Sequence, residues 1–427
     1  MSIYKRPNSI YSLTSISWGS YDLANTIFSM IVVTRFFPLW IIDDLGGTNL
    51  MVSITRSSAM LFIAISMPLL GGISDRIGKR KFFIFIFTIL CCLFTTFLSG
   101  SFGLIPILVF FGVAVYCFQA ALVFYNAMLP DVSPRSKEGK VSGMGVALGY
   151  VGAIAGMIIV RPFVGTGEAF SSQSAFLPAA ILFFIFSIPL FIFVRERRIL
   201  STLEVKTFWE RFKAPYRIFK SSSGFPTVRK FLIARFFIVE AMETIILFMA
   251  VFTKKVGGFD DKQISMAGMD EITLFLIVAT IFAVVGSSFW GIAVDKIGAG
   301  KSLKICSLLW VITLLIAVVS PYKWSFWIIG VLAGICIGGI WTTDRAWLIQ
   351  MIPEERRGEF FGLYALSGRL AAVIGPIIWG LTVKLAEPLG SIKYRFAVGA
   401  VFLMMLTGYF LIRRIPNGIV SEKICHE

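Results

Sequence analysis

Apolar residues run through this chain in long blocks, each closed by a short polar stretch. Two of the blocks, Phe82 to Gly100 and Ser174 to Val194, carry no charge over the ~20 residues that an α-helix needs to cross ~30 Å of hydrocarbon. The runs are continuous where a membrane barrel would alternate, so helices are the spanning elements. Cutting at the polar breaks predicts twelve spans, near 16–42, 50–74, 82–100, 104–130, 141–163, 174–194, 230–253, 268–294, 302–320, 324–351, 359–386 and 395–414. The fold class is all-α integral membrane: residues 1–194 form an N-terminal six-helix bundle, 195–229 a cytoplasmic linker and 230–427 a C-terminal six-helix bundle. Within the linker, Phe208, Trp209, Phe212, Tyr216 and Phe219 alternate with basic residues, a pattern that predicts an amphipathic helix on the membrane surface.

Composition agrees with this reading. The chain is 57% hydrophobic and 15% charged, where soluble domains are about 25% charged. A net charge of +16 would fit a nucleic-acid partner only if it formed one basic surface. Instead, with the N-terminus inside, 27 of the 40 lysines and arginines fall in cytoplasmic segments, 7 in outer loops and six within spans. The charge therefore reports topology, with both termini cytoplasmic and no nucleic acid bound. Compact loops point to a bacterial cytoplasmic membrane, with a vacuolar membrane as the alternative, and a monomer is expected.

Six cysteines form no C-x-x-C pair, five of them lie in spans, and the one histidine is His426. No disulfide framework, metal site or imidazole relay follows, and no cofactor is expected. Neither a phosphate loop nor a catalytic triad is visible, so the chain is not expected to be an enzyme. The first thirteen residues, MSIYKRPNSIYSL, lack a signal-peptide pattern, and the first span should be retained.

The halves repeat one another. GGISDRIGKRK recurs as GIAVDKIGAGK, matching Gly71, Asp75 and Gly78 with Gly291, Asp295 and Gly298 at a spacing of 220. Gly139, Gly143, Gly149 and Gly156 recur as Gly358, Gly362, Gly368 and Gly375 at a spacing of 219. Such repeats place a binding site between the halves and allow alternating access by rocking.

Twelve spans, a long central loop and the G-x-x-x-D-R-x-G-K-R-K sequence from Gly71 to Lys81 resemble the major facilitator superfamily. Within it, YDLANTIFSM, FYNAMLPDV and GGIWTTDRAWLIQMIPEERRGEFFGLY are similar to the vacuole-effluxer-like, or unknown major facilitator, family. The resemblance implies a secondary transporter, and fungal members that export vacuolar amino acids imply that substrate class. It also implies that Gly71, Asp75, Arg76 and Gly78, with Asp295 and Gly298 in the second copy, form a cytoplasmic gating latch.

The chemistry lies on polar faces inside the spans. Asp22 and Asn25 share one face of the first helix with Ser29, and such a face must look at a cavity or a partner. YDLANTI aligns with VEAMETI, matching Asp22 with Glu240 and Asn25 with Glu243 as repeat mates. Two glutamates one turn apart disfavour simultaneous ionisation, which makes Glu240 or Glu243 the expected proton-coupling group, with Asp22 contributing. The bland alternative is that these acids pair with arginines to hold helices together.

Six arginines, Arg35, Arg56, Arg161, Arg235, Arg345 and Arg369, lie within spans, and a guanidinium can grip a carboxylate by two parallel bonds. Arg345 is the first choice as substrate ligand, beside Asp344 and one turn from Trp341. Arg35 is expected near the outer end of the cavity, to attract or gate, and Arg235 to pair or bind. Tyr125 and Asn126 are placed to close the cavity from below. Acids and arginines together favour a small zwitterionic solute, with protons as the coupling ion. A lipid or lysolipid flippase and a non-transporting receptor or assembly factor are the alternatives.

Overall fold

The computed structural model describes residues 7–77, 79–134, 138–195, 225–262, 268–352 and 357–417. The amphipathic helix expected over 208–219 and the latch residue Gly78 lie outside them, as do the side chains of Asp75 and Arg76. Among the described residues, twelve helices are long and apolar enough to span a membrane. They are α1 (Leu13–Asp44), α2 (Asn49–Ile77), α3 (Arg80–Phe97), α4 (Leu104–Ala127), α5 (Glu138–Val164) and α6 (Phe176–Phe193). The second set is α7 (Pro226–Lys255), α8 (Glu271–Ile297), α9 (Ala299–Val319), α10 (Lys323–Met351), α11 (Arg357–Leu385) and α12 (Lys393–Arg413). This is an all-helical, multi-pass membrane fold.

The described residues fall into two compact units, one within Met1–Arg211 and Asp260–Ile277, the other within Phe212–Phe259 and Val278–Glu427. The segment 260–277, which the repeat groups with the second half, thus packs with the first unit. In that unit α1 packs on α5 and α6, and α4 packs on α2 and α3. The second unit repeats the scheme, with α7 on α11 and α12 and α9 on α10 and α12.

Glycine is what permits the closest contacts. A Cβ on Gly152 of α5 would lie 2.4 Å from the Leu23 carbonyl oxygen of α1. On α10, a Cβ on Gly338 would lie 2.1 Å from the Ala283 carbonyl oxygen of α8. Both obstacles are backbone, which cannot rotate away, so the glycines set the helix separation. Gly152→Ala should therefore destabilise by about 1–3 kcal/mol through overpacking, read as a lower midpoint in thermal unfolding in detergent.

Two lysines close the helix ends in the same way in each unit. Lys81 Nζ, at the start of α3, donates to the Val194 carbonyl just past α6 at 2.9 Å. Lys304 Nζ, on α9, donates to the Ile415 carbonyl just past α12. A cation at a helix C-terminus satisfies orphan carbonyls and opposes the negative end of the dipole. Arg80 does the same at α4, donating to the Ala127 carbonyl at 2.7 Å and pairing with Asp131 at 3.5 Å. The basic cluster after Gly71 therefore holds helix ends as well as marking topology.

Candidate functional site

On the polar face of α1, Asp22 is half-buried and turned toward α5, where a Cβ on Gly145 would meet its Oδ2. The Tyr125 ring, from the end of α4, lies beside it and stacks on Trp18 with centroids 4.4 Å apart. Trp18 Nε1 donates to the Tyr125 carbonyl at 3.2 Å. One turn on, Asn25 is 4% exposed, and both of its amide atoms lack a hydrogen-bond partner among the described residues. Buried polar groups are rarely left so, which singles this amide out. Asn126 is exposed and does not join the cluster around Asp22 and Tyr125.

In the second unit the charges form a network across α7, α10 and α11. Arg235 Nε donates to Asp344 Oδ2 at 2.9 Å, and Nη1 donates to the Tyr364 carbonyl and to Ser367 Oγ. The guanidinium lies 3.5 Å from the Tyr364 ring centroid, while the Tyr364 hydroxyl donates to the same Asp344 oxygen at 2.8 Å. Asp344 Oδ1 is buried and without a partner among the described residues. Glu240, 1% exposed, accepts the Gly375 N–H on α11 at 2.6 Å. That N–H immediately precedes Pro376, a residue with no N–H of its own to continue the helical ladder. Glu243, one turn along, is half-buried.

Arg345 and Asp344, expected to act side by side, are separated. Adjacent residues on a helix project about 100° apart. Asp344 is buried against Arg235, whereas Arg345 is exposed and its guanidinium sits 6.0 Å from the half-buried Trp341 ring. Tyr364 was missed because an isolated tyrosine in an apolar run carries no sign of its partner.

The packing also corrects the repeat register. Gly149 and Gly368, 219 apart, face Asp22–Thr26 and Arg235; Gly156 and Gly375, also 219 apart, face Ile27 and Glu240. The facing positions, 22 and 235 or 27 and 240, are 213 apart, as are the first helical residues Leu13 and Pro226. Setting Asp22 against Glu240 would make Gly149 the counterpart of Gly375, seven residues out of the glycine register. The equivalent of Asp22 on α7 is thus Arg235. Equivalent positions carry opposite charges, where the sequence match had paired two acids.

Arg35 lies in a π-helical stretch of α1, Ser29–Phe36, a distortion that re-aims side chains and frequently marks functional sites. It is fully buried, with Nη2 donating to Asp270 Oδ1 at 2.8 Å and Nε to Thr273 Oγ1 at 3.1 Å. Arg161 Nε, near the end of α5, lies 3.3 Å from the other Asp270 oxygen. Asp270 Oδ1 also accepts the Thr273 N–H, capping the first turn of α8. Sequence reasoning missed Asp270 because it stands at the polar edge of an apolar run, where an acid is ordinary.

Burial opposes ionisation of Asp270, but the Arg35 guanidinium and the Thr273 bonds outweigh it and hold the carboxyl below its usual range. A depressed pKa means that the stabilisation is present above the unfolded value and is lost only as pH falls through the folded one. Isotope-edited infrared spectroscopy should accordingly find Asp270 ionised at pH 5 as at pH 7.

Asp295, in the last turn of α8, and Gly298, just past it, are exposed, and Gly298 adopts φ +87°, a left-handed conformation that glycine takes without penalty. This is the second copy of the expected latch; the first lies outside the described side chains.

Comparison with known proteins agrees with this architecture. Residues 47–422 match the family described as vacuole effluxer Atg22-like. The chain is 27% identical over 421 residues, 94% of each protein, to an MFS-type transporter, YxiO, of Bacillus subtilis (strain 168). It is 22% identical over 306 residues to autophagy-related protein 22-1 of Neosartorya fischeri, covering 65% of this chain and 48% of the fungal one. A mutant of the nucleoside transporter NupG superposes with a TM-score of 0.74 at 12% identity, over 95% of this chain and 100% of that one. With its twelve spans and repeated halves, the chain belongs to the vacuole effluxer Atg22-like family and is a membrane transporter with the major-facilitator fold.

Proposed function

We propose that this transporter moves a small zwitterionic solute, with amino acids the leading class, by alternating access coupled to protons. The reading rests on one observation above all: equivalent positions on α1 and α7 carry Asp22 and Arg235. A carboxylate and a guanidinium are the groups that complement the ammonium and the carboxylate of a zwitterionic solute. The Asn25 amide supplies a further donor and acceptor, and Glu240, Glu243 and Asp22 are the acids available for proton coupling. Both termini are cytoplasmic in this reading, from the distribution of lysine and arginine. Counterflow into proteoliposomes tests it: a labelled neutral amino acid should exchange, and an uncharged sugar should not. Preference for the sugar would defeat the zwitterion reading.

A second reading, movement of a lysolipid, has one observation in its favour. A groove of about 620 Å³ runs between α2 and α4, lined mostly by apolar side chains such as Phe62 and Val109, together with Tyr116 and Ser66. A fluorescent lysolipid flipped by the purified protein, with no amino-acid exchange, would favour it.

A further inference from the structure

Inside the first unit, the Asn25 amide is unserved at both ends. The side chain is 4% exposed, and neither its carbonyl oxygen nor its amino group has a hydrogen-bond partner among the described residues. The surroundings explain why. Residues three and four apart share a helix face, so Asn25 stands between Tyr21 and Phe28, whose rings lean on Phe183 and on Tyr125 or Phe118. The nearby polar groups are engaged elsewhere: the Tyr21 hydroxyl with Thr88 Oγ1 at 2.6 Å, Trp18 Nε1 with the Tyr125 carbonyl, and Thr26 Oγ1 with the main-chain carbonyl of Asp22.

Packing does not call for an amide at this position. In the register fixed by the glycine contacts, the equivalent residue of α7 lies 213 positions on and is Ile238, which is 1% exposed. An apolar side chain fills that place in the second unit. The first unit instead buries a donor and an acceptor without partners, an arrangement that opposes folding and is rare in native proteins. The penalty disappears when a ligand supplies both partners.

We propose that Asn25 selects α-amino acids by reading the ammonium and the carboxylate together. The inference rests on the zwitterion reading above and narrows it. An amide carries its acceptor and its donor on one carbon, and an α-amino acid carries its ammonium and its carboxylate on one carbon too. Asn25 Oδ1 accepts from the solute ammonium and Nδ2 donates to a carboxylate oxygen, so both orphaned atoms are paired at once. Asp22, one turn back on the same face, supplies the counter-charge for the ammonium. A solute whose two charged groups stand on different carbons pairs one end of the amide and leaves the other buried alone, which is how a polar site rejects a close analogue.

The test compares two isomers of equal mass and charge, alanine and β-alanine, in counterflow with the full-length protein in proteoliposomes. The parent should exchange alanine at least about tenfold better, equivalent to about 1.4 kcal/mol. Asn25→Leu, an apolar replacement of similar size, should bring the isomers within about threefold of each other, and should unfold at or above the parent's temperature because it removes a buried orphan. Asn25→Ala, which adds no bulk, should lose the preference in the same way. The rise in unfolding temperature with each isomer gives the same comparison in a variant that binds without transporting. A preference for alanine that survives both replacements, or a parent that takes both isomers equally, would overturn the assignment and leave Asn25 as a holder of internal water. A parent that exchanges neither isomer would refute the zwitterion reading itself, and the role of Asn25 with it.

Discussion

Replacing Arg235 with alanine should cost about 3–5 kcal/mol of stability, because it strands a buried carboxylate, and should lower solute exchange at least about 30-fold. Asp344 is 1% exposed and, among the described residues, would keep the Tyr364 hydroxyl as its one donor. Tyr364 itself would lose the cation stacked on its ring. Loss of fold and loss of binding are separated by a double replacement, Arg235→Met with Asp344→Leu. Apolar side chains of similar volume often substitute for a buried ion pair at no net cost, so unfolding should return close to the parent while exchange stays lost. Recovery of exchange in the double variant would show that the pair only holds α7 to α10. Arg235→Lys should be intermediate, since an ammonium lacks the planar fork that engages Asp344, the Tyr364 carbonyl and Ser367 together.

Glu240→Gln should separate solute movement from proton coupling. A glutamine retains an oxygen to accept the Gly375 N–H, so the contact between α7 and the Pro376 region of α11 survives. What disappears is the ability to gain and lose a proton. Exchange down no gradient should continue within about threefold, because it needs no net proton movement, and accumulation driven by a pH gradient should fall at least tenfold, about 1.4 kcal/mol of lost coupling. Glu240→Ala is the contrasting variant: it leaves the Gly375 N–H buried and unpaired, worth about 1–3 kcal/mol, and should be destabilised as well as uncoupled. If Glu240→Gln accumulates solute like the parent while Glu243→Gln does not, the coupling acid is Glu243, the half-buried partner one turn away. Full accumulation in both variants would remove proton coupling from these acids altogether.

Much of the architecture was legible in the residues because a bilayer permits few solutions. An uncharged run of sufficient length has to be a helix, and twelve such runs in two repeating sets define the fold. The helix ends moved by a few residues, as for α1, predicted over 16–42 and observed from Leu13 to Asp44, since π-helical turns extend it. The site was legible by residue type more than by partner. Asp22, Arg35, Arg235, Glu240 and Asp344 stood out as ionisable groups within apolar runs, but nothing local indicates that Arg235 meets Asp344, 109 positions away. Two errors have a common physical origin. Asp344 and Arg345 looked like one site because they are adjacent in sequence, although a helix sends them to different faces. Asp22 and Glu240 looked like mates because seven-residue windows matched, although helix packing repeats every two turns and the glycine contacts fix a different register. Asp270 and Tyr364 had no sequence signal that separates them from an ordinary loop acid and an ordinary buried ring.

Asp22 on α1 is proposed to recognise the ammonium of the solute and Arg235, its equivalent on α7, to recognise the carboxylate. The most direct measurement is solute-induced current and exchange in proteoliposomes, with a neutral amino acid, its amide, which lacks the carboxylate, and its deaminated acid, which lacks the ammonium, as three matched solutes. The parent should move the amino acid best. Asp22→Asn should weaken discrimination against analogues without the ammonium, and Arg235→Gln against those without the carboxylate. Equal exchange of all three solutes by the parent, or no exchange of any of them, would contradict the account.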